Sequence, residues 1–430
     1  MFLTQLDDSF LFSTDDGSVG AELWKSDGSL TGTVRIEDIH PGAEGSNPSF
    51  LYNYNGKIYF AARDSLAYFY HLWKSDGTVT GTLPIYSYGS PAYYGISDLW
   101  DPAGFTESNG KLFFKGKDTY GDTALFTTNG TITGTRLVKN FDSISRMVNL
   151  NDMLYFPAAY SSSDQELWVS DGTLTGTQMV RDINPTDSAY VSELTVFHDK
   201  IFFSAQESVS GLELWESDGT SEGTVLVKDI NPGSNGSGPY GFVVAGDSLF
   251  FSAVQDATGG ELWKTDGTVT GTVMVKDINT GTLSSWAEPL LALNGKLLFK
   301  AADSWGMELW ITDGTAEGTY LVKDINPGSA SSDPGGLNPR MNNVTWYNNQ
   351  AFFPADDGSQ GIELWQTDGT PDGTVLVKDI NPGASGSSPT NLIVGNNMLL
   401  FAADDGVHGQ ELWAMRFLLF NKVYLPLVGR

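Results

Sequence analysis

The sequence predicts an all-β chain: a β-propeller of four-stranded antiparallel blades. Nine blades are expected, with eight as the alternative because most propellers have about four to eight. Two observations support this prediction. One is a ninefold repeat with a period of about 48 residues, and the other is a hairpin pattern inside each copy. No copy carries helical periodicity long enough to compete with this interpretation.

The repeat is marked by Glu-Leu-Trp followed by Asp-Gly-Thr, which occurs in clean form five times. The third positions of all copies are Trp24, Trp73, Phe126, Trp168, Trp215, Trp263, Trp310, Trp365 and Trp413. Since no linker separates the copies, we expect a single domain over 1–430. Its approximate blades are 1–48, 49–96, 97–143, 144–189, 190–236, 237–284, 285–334, 335–387 and 388–430.

The fifth copy shows how one repeat is read as four strands. Alternating or β-branched runs at 192–197, 201–205, 212–216 and 225–230 are separated by turn signals. Other copies place Asn-Gly at the first turn, which favours a tight hairpin because both residues accept positive φ. At the chain ends, 2–6 is predicted as a first strand and 421–428 as a last one.

Glu213 precedes Lys228 by 15 residues, and four other copies repeat this offset. If the third and fourth strands fold about the intervening turn, the two residues stand opposite each other on one face. We therefore expect a partly buried ion pair between the Glu213 carboxylate and the Lys228 ammonium group. The Asp-Gly-Thr turn itself is expected to be structural, with Asp and Thr bonding turn amides and Gly taking positive φ.

The string from Glu261 to Thr272, Glu-Leu-Trp-Lys-Thr-Asp-Gly-Thr-Val-Thr-Gly-Thr, resembles the bacterial ELWxxDGT-repeat proteins. The resemblance spans nearly the whole chain. It implies a secreted or cell-surface propeller and no established catalytic residues. The turn is also similar to the Asp-box hairpin of sialidase-like propellers, although no Trp follows at the Asp-box position.

Charge and composition limit the partners. The net charge of −28 disfavours nucleic acid and anionic lipid, and no apolar run is long enough to insert into a membrane. The first residues lack the features of a signal peptide. The expected location is extracellular or cell-surface, which requires either a signal that this chain does not contain or another export route. The chain is expected to be a monomer whose protein or carbohydrate ligand the sequence does not identify.

The sequence favours neither a catalytic nor a metal site. It has four histidines without metal-ligand spacing, and it has no cysteine. Its eight arginines are scattered, whereas a sialidase-like site needs several together. We therefore expect no enzymatic activity and no cofactor. The alternative is calcium, because adjacent carboxylates can supply oxygen ligands, and the candidate loops are Asp15-Asp16-Gly17, Asp356-Asp357-Gly358 and Asp404-Asp405-Gly406.

The best ligand signal is an aromatic segment that replaces the usual Lys-Asp-Ile-Asn-Pro-Gly after the second copy. Its candidate ligand-binding residues are Tyr88, Tyr93, Tyr94 and Trp100, although they could equally cover a defect between blades. Trp286 and Trp346 are expected to be packing residues. The predicted function is a non-enzymatic binding or adhesion scaffold, with a carbohydrate-binding lectin and a sialidase-like glycoside-processing enzyme as alternatives.

Overall fold

The computed structural model describes residues 2–64, 69–85, 99–160, 164–336, 343–417 and 422–426. Within them the chain is all-β, and its strands form nine antiparallel sheets of consecutive strands. This is a nine-bladed β-propeller, so the predicted fold class and the predicted blade number are confirmed. No helix occurs in these ranges, and accordingly none that could cross a membrane.

The chain divides into two compact units. The first contains Met1–Ile201 and Ser217–Thr224, and the second contains Phe202–Glu216 and Val225–Gly429. The boundary between the units passes through the fifth sheet.

The first four sheets have the following strands. They are β1 (Leu3–Leu6), β2 (Ser9–Asp15), β3 (Ala21–Ser26), β4 (Val34–Glu37), β5 (Ser49–Tyr54), β6 (Lys57–Ala62), β7 (His71–Ser75), β8 (Leu83–Pro84), β9 (Trp100–Ser108), β10 (Lys111–Lys117), β11 (Thr123–Thr128), β12 (Arg136–Phe141), β13 (Ser143–Ile144), β14 (Val148–Leu150), β15 (Met153–Ala159), β16 (Gln165–Ser170) and β17 (Gln178–Arg181). The fourth sheet has a divided first strand, because β13 and β14 both pair with β15.

The remaining five sheets continue the pattern. Their strands are β18 (Ser192–Phe197), β19 (Lys200–Glu207), β20 (Gly211–Ser217), β21 (Val225–Lys228), β22 (Tyr240–Ala245), β23 (Ser248–Gln255), β24 (Gly259–Thr265), β25 (Val273–Lys276), β26 (Glu288–Leu293), β27 (Lys296–Asp303), β28 (Gly306–Thr312), β29 (Tyr320–Lys323), β30 (Thr345–Tyr347), β31 (Gln350–Asp356), β32 (Ile362–Thr367), β33 (Val375–Lys378), β34 (Thr390–Gly395), β35 (Met398–Asp404), β36 (Gln410–Phe417) and β37 (Lys422–Pro426).

Neighbouring blades within a unit bury each other's apolar faces. In the second unit, Phe250 and Leu262 of the sixth blade share a core cluster with Phe299 and Trp310 of the seventh. The first unit repeats this arrangement between its first two blades. Because both faces of a blade are covered, the second strands are apolar at consecutive positions instead of alternating.

The Asp-Gly-Thr turn has the predicted structural role. Asp218 Oδ1 accepts hydrogen bonds from the Thr220 N–H at 2.9 Å and from its hydroxyl at 2.7 Å, and the Thr220 hydroxyl bond lowers the pKa of Asp218. Gly219 has φ +94°, and a Cβ on Gly223 would lie 2.0 Å from the Asp218 carboxylate. The turn therefore requires glycine at both positions.

The predicted ion pair between Glu213 and Lys228 is wrong. Lys228 pairs with Leu214, because a β-bulge between Leu214 and Trp215 shifts the register of β20 and β21. Residues paired across two strands share a face, and successive residues alternate, so Glu213 and Lys228 point to opposite faces. The sequence offset of 15 residues assumed a regular hairpin, and a bulge inserts one residue more.

The lysine instead bonds the next blade. Lys276 Nζ donates to the Thr319 carbonyl oxygen at 2.7 Å, and Lys323 Nζ donates to that of Thr374 at 2.7 Å. Lys323 Nζ also lies 5.9 Å from the centroid of the Trp365 ring. Each of these lysines thus connects the fourth strand of its own blade to the Asp-Gly-Thr turn of the following one.

The glutamate binds the connection between blades. Glu213 is fully buried, and its carboxylate accepts the N–H groups of Ile230 and Asn231, both at 3.1 Å, and the Ser237 hydroxyl at 2.5 Å. The same role, with a subset of these donors in some blades, is played by Glu22, Glu261, Glu308 and Glu363. These bonds end the fourth strand at Lys228, two residues before the predicted end at Ile230.

Burial raises the pKa of these glutamates despite their donors, and the pKa of Glu308 reaches about 7. Desolvation disfavours the charged carboxylate in the folded chain more than the three donors favour it. The buried glutamates therefore couple folding to pH.

Replacing Lys323 by Met should lower the free energy of unfolding by about 1.5–3 kcal/mol, the usual contribution of a hydrogen bond from a charged group. Guanidinium denaturation measures the change. Lys57→Met removes an exposed lysine and serves as the control. Equal stabilities for the two variants would show that Lys323 does not stabilise the contact between blades.

Stability should fall as pH rises from about 5 to about 8. Between the ordinary pKa of 4.5 and the folded value of about 7, folded Glu308 retains a proton that the unfolded chain releases, so its favourable contribution is lost as pH rises through about 7. Glu308→Gln should reduce this slope by up to about 1.4 kcal/mol per pH unit. Denaturation at several pH values measures the slope. The control is Glu317→Gln, which replaces an exposed glutamate and should leave the slope unchanged. An unchanged slope in Glu308→Gln would contradict the raised pKa of Glu308.

Candidate functional site

The aromatic residues predicted from sequence divide into two groups. Tyr88, Tyr93 and Tyr94 lie outside the described residues. Trp100 is described, and it opens β9 of the third blade. Its ring stacks on Phe69 with a centroid separation of 4.4 Å, and its Nε1–H donates to the Asp118 carbonyl oxygen at 3.1 Å.

The third blade departs from the repeat beside Trp100. Ala124 stands where the clean copies have the buried glutamate, and it pairs with Gly116 of β10. On β10, Lys115 and Lys117 lie on one face, two residues apart. At the position of Lys115 most other blades have serine, alanine or proline, as in Ser204.

These departures coincide with a cavity of about 270 Å³. Its lining residues come from the third blade and from the segment that follows it: Asp101, Lys115, Gly116, Lys117, Thr123, Asp142, Ser143 and Ile144. The volume is just below the range of about 300–1,000 Å³ typical of small-molecule pockets. All lining residues belong to the first unit.

The two lysines are held by neutral oxygens. Lys115 Nζ donates to the Ile144 carbonyl oxygen at 3.0 Å, and Lys117 Nζ donates to the Thr123 hydroxyl at 2.9 Å. Burial lowers the pKa of Lys115. Neither bond neutralises the ammonium charge, so both groups retain donors for an anionic oxygen.

Asp101 brings a carboxylate to the same cavity. Its backbone N–H donates to the Tyr70 carbonyl oxygen at 2.8 Å, and its φ of 52° is in the left-handed region. Burial raises the pKa of Asp101, and the nearby charges of Lys117 and His71 oppose that increase. With Asp142, the cavity has two carboxylates and two ammonium groups and is formally neutral.

This cavity was not predicted from the sequence. The usable signal was a lysine at a second-strand position that most other repeats fill with a small or apolar residue. It becomes visible only when the repeats are aligned strand by strand. The prediction that Trp286 and Trp346 are packing residues was also wrong, because their side chains are 63% and 46% exposed.

The acidic loops considered for calcium bond their own backbones. Asp357 Oδ1 accepts the N–H groups of Ser359 and Gln360, each at 2.8 Å. His408 Nδ1 lies 2.8 Å from Asp405 Oδ2, and this hydrogen bond lowers the pKa of Asp405 to about 2. Among the described residues, no group of three or more His, Cys, Asp or Glu side chains is placed to hold a metal ion.

No protein-family model matches the chain, and no curated protein matches it significantly. Solved structures do match. A puromycin hydrolase is 13% identical, with a TM-score of 0.38, over 83% of this chain and 58% of that one. Prolyl oligopeptidase B from Galerina marginata is 12% identical, with a TM-score of 0.41, over 85% and 55%.

The β-propeller domain of the Trilobed protease from Pyrococcus furiosus is 11% identical, with a TM-score of 0.41, over 89% of this chain and 98% of that one. This chain spans little more than half of the length of the puromycin hydrolase and of the oligopeptidase. At these identities the likeness concerns the fold.

These comparisons correct the predicted function. The three structures named above come from a puromycin hydrolase, a prolyl oligopeptidase and a protease, and none of the three is described as an adhesion protein, a lectin or a glycosidase. The expected non-enzymatic binding or adhesion scaffold, with its lectin and sialidase-like alternatives, is therefore not retained. The sequence favoured it because recognisable catalytic motifs were lacking, and the lack of a motif does not identify a function.

Proposed function

We propose that this chain recognises short peptides, and that the cavity at Lys115 and Lys117 binds a charged peptide end. One observation supports the proposal: two ammonium groups and two carboxylates line a single cavity beside the stacked rings of Phe69 and Trp100.

Charge balance favours a ligand that carries both signs. An anionic ligand would leave the carboxylates of Asp101 and Asp142 facing it, and a cationic ligand would face the two lysines. A free amino acid or an unblocked short peptide has both an ammonium and a carboxylate group. Each can then meet an opposite charge, which reduces the penalty for removing it from water.

The stacked rings of Phe69 and Trp100 form an aromatic surface next to the cavity that peptide side chains could contact. Trp100 pairs with Lys117 across β9 and β10, so the stacked rings adjoin the lysine end of the cavity. A Cβ on Gly121 would lie 3.6 Å from the Trp100 ring, an ordinary van der Waals contact, so the loop that contains Gly121 passes beside the indole. An apolar peptide side chain could cover the exposed part of these rings.

Isothermal titration calorimetry with unblocked trialanine tests the proposal. We expect binding that weakens with added salt, because the contacts are charged. Lys115→Met should weaken it about tenfold or more, the usual cost of losing a hydrogen bond to a charged group. Lys57→Met is the matched control and should bind as the parent does.

Trialanine that is N-acetylated and C-amidated tests whether the terminal charges of the peptide are needed for binding. It has the same backbone and side chains without either terminal charge, so its heat of binding should be small. Equal binding of blocked and unblocked peptides, or equal binding by the parent and Lys115→Met, would refute the proposed role of this cavity.

A further inference from the structure

Two blades have a lysine at the same position of the second strand. This position pairs with the leucine of the repeat motif, and it holds Lys115 in the third blade and Lys300 in the seventh. Both lysines donate to a carbonyl oxygen of the segment that follows their blade, that of Ile144 at 3.0 Å and that of Gly336 at 2.9 Å. The other blades have a small residue or proline at this position: Ser13, Ala61, Pro157, Ser204, Ser252, Pro354 and Ala402.

The two lysines differ in how their charge is neutralised. Glu288 pairs with Lys300 across β26 and β27, and its Oε2 lies 3.2 Å from Lys300 Nζ. In the third blade, the residue that pairs with Lys115 is Ala103 of β9. No carboxylate of the described ranges forms an ion pair with Lys115, and burial lowers the pKa of its amine. A larger fraction of Lys115 is therefore the neutral, nucleophilic amine at a given pH.

The lysines also differ in access. The side chains of Lys300 and Glu288 are largely buried. Lys115 instead lines the cavity of about 270 Å³, and Asp142 and Ser143, which line the same cavity, are exposed. A small molecule can therefore reach the Lys115 amine from solvent. The neutral amine can keep its bond to Ile144 through one N–H and still use its lone pair for reaction.

From this comparison we propose that Lys115 is a reactive amine that forms an imine with a small neutral hydroxyaldehyde in the cavity. The amine nitrogen attacks the aldehyde carbon and forms the C–N bond. The former carbonyl oxygen is protonated, its bond to carbon breaks, and it leaves as water. An ammonium group and an aldehyde thus give a protonated imine and one water molecule, so atoms and charge balance without an oxidant or a reductant.

The lining of the cavity determines the class of aldehyde. The carboxylates of Asp101 and Asp142 accept hydrogen bonds from ligand hydroxyl groups, and the Ser143 hydroxyl can donate or accept. A neutral ligand leaves the two carboxylates and two ammonium groups in balance, whereas a keto acid would bring a third carboxylate beside them. The volume suits a molecule of a few carbon atoms. This reactivity is independent of peptide binding, because it resides in the amine itself.

Reductive trapping measures the reactivity. The full chain is incubated with glycolaldehyde and sodium cyanoborohydride, which reduces the protonated imine to a stable secondary amine. Digestion with a protease that does not cleave at lysine, followed by mass spectrometry, gives the labelling rate at each lysine and separates Lys115 from Lys117. At about pH 7 we expect Lys115 to react at least about tenfold faster than the exposed Lys57, because a pKa lower by about one unit gives about ten times more neutral amine. Lys300 should react more slowly than Lys115.

Two variants of Ala103 test the role of the missing carboxylate. Ala103→Glu places opposite Lys115 the group that Glu288 supplies to Lys300, which stabilises the ammonium form and should slow labelling of Lys115 about tenfold. Ala103→Gln adds nearly the same bulk without the charge and should label almost as the parent does. Thermal midpoints show whether both variants are folded, and if they are not, the rates in the parent chain decide.

The ligand class has its own comparison. Propanal is a neutral aldehyde without a hydroxyl group, so its ratio of Lys115 to Lys57 labelling should be smaller than that of glycolaldehyde. Equal ratios would contradict the proposed hydroxyaldehyde.

Labelling of Lys115 no faster than that of Lys57 would overturn the proposal, and so would equal rates in folded Ala103→Glu and Ala103→Gln. Fast labelling of Lys115 in a chain that does not bind trialanine would refute the peptide function and would support the reactive amine.

Discussion

The buried carboxylate of the Glu-Leu-Trp glutamate connects the end of one blade to the beginning of the next. In the seventh blade, Glu308 accepts the Ile325 N–H where the fourth strand has ended, and the Ser332 N–H and hydroxyl where the connection turns toward the next blade. Burying this carboxyl group is costly, and the burial is tolerated here because the Ile325 and Ser332 N–H groups that it binds would otherwise be buried without partners. The lysine contact to the next Asp-Gly-Thr turn and the mutual covering of blade faces both depend on how this connection is placed.

The blades without this glutamate are the ones where the molecule differs most from its own repeat. In the second blade His71 takes its place, with Nδ1 2.9 Å from the Leu99 carbonyl oxygen. In the third blade the side chain of Ala124 has no hydrogen-bond acceptor. Asp118 accepts hydrogen bonds from the Tyr120 and Asp122 N–H groups of its own loop. The connection that follows the third blade is then held by Lys115 through the Ile144 carbonyl, and this substitution accompanies the cavity that we propose for peptides.

The fold was predictable because the repeat period and the turn residues of the hairpins can both be read directly from the sequence. The period set the number of blades, and the Asp-Gly-Thr and Asn-Gly pairs set the turns. The register of β20 and β21 was not predictable in the same way, because a bulge between Leu214 and Trp215 does not change the pattern of apolar residues in the sequence. The exposure of Trp286 was not predictable either. An aromatic residue near a strand suggests packing, and the sequence does not show that the residue has a positive φ. The charged cavity depends on Asp101 and Lys115, which are adjacent only after folding.

Hydrogen exchange tests most directly whether the glutamate holds the connection between blades. Exchange in peptides covering 320–336 should be nearly as slow as in β27 for the parent chain, because the Ile325 and Ser332 amides are bound to a buried carboxylate. In Glu308→Ala these peptides should exchange at least about tenfold faster, while those from β27 keep their protection. Unchanged exchange over 320–336 in that variant would mean that the connection is held by other contacts and that the carboxylate is incidental.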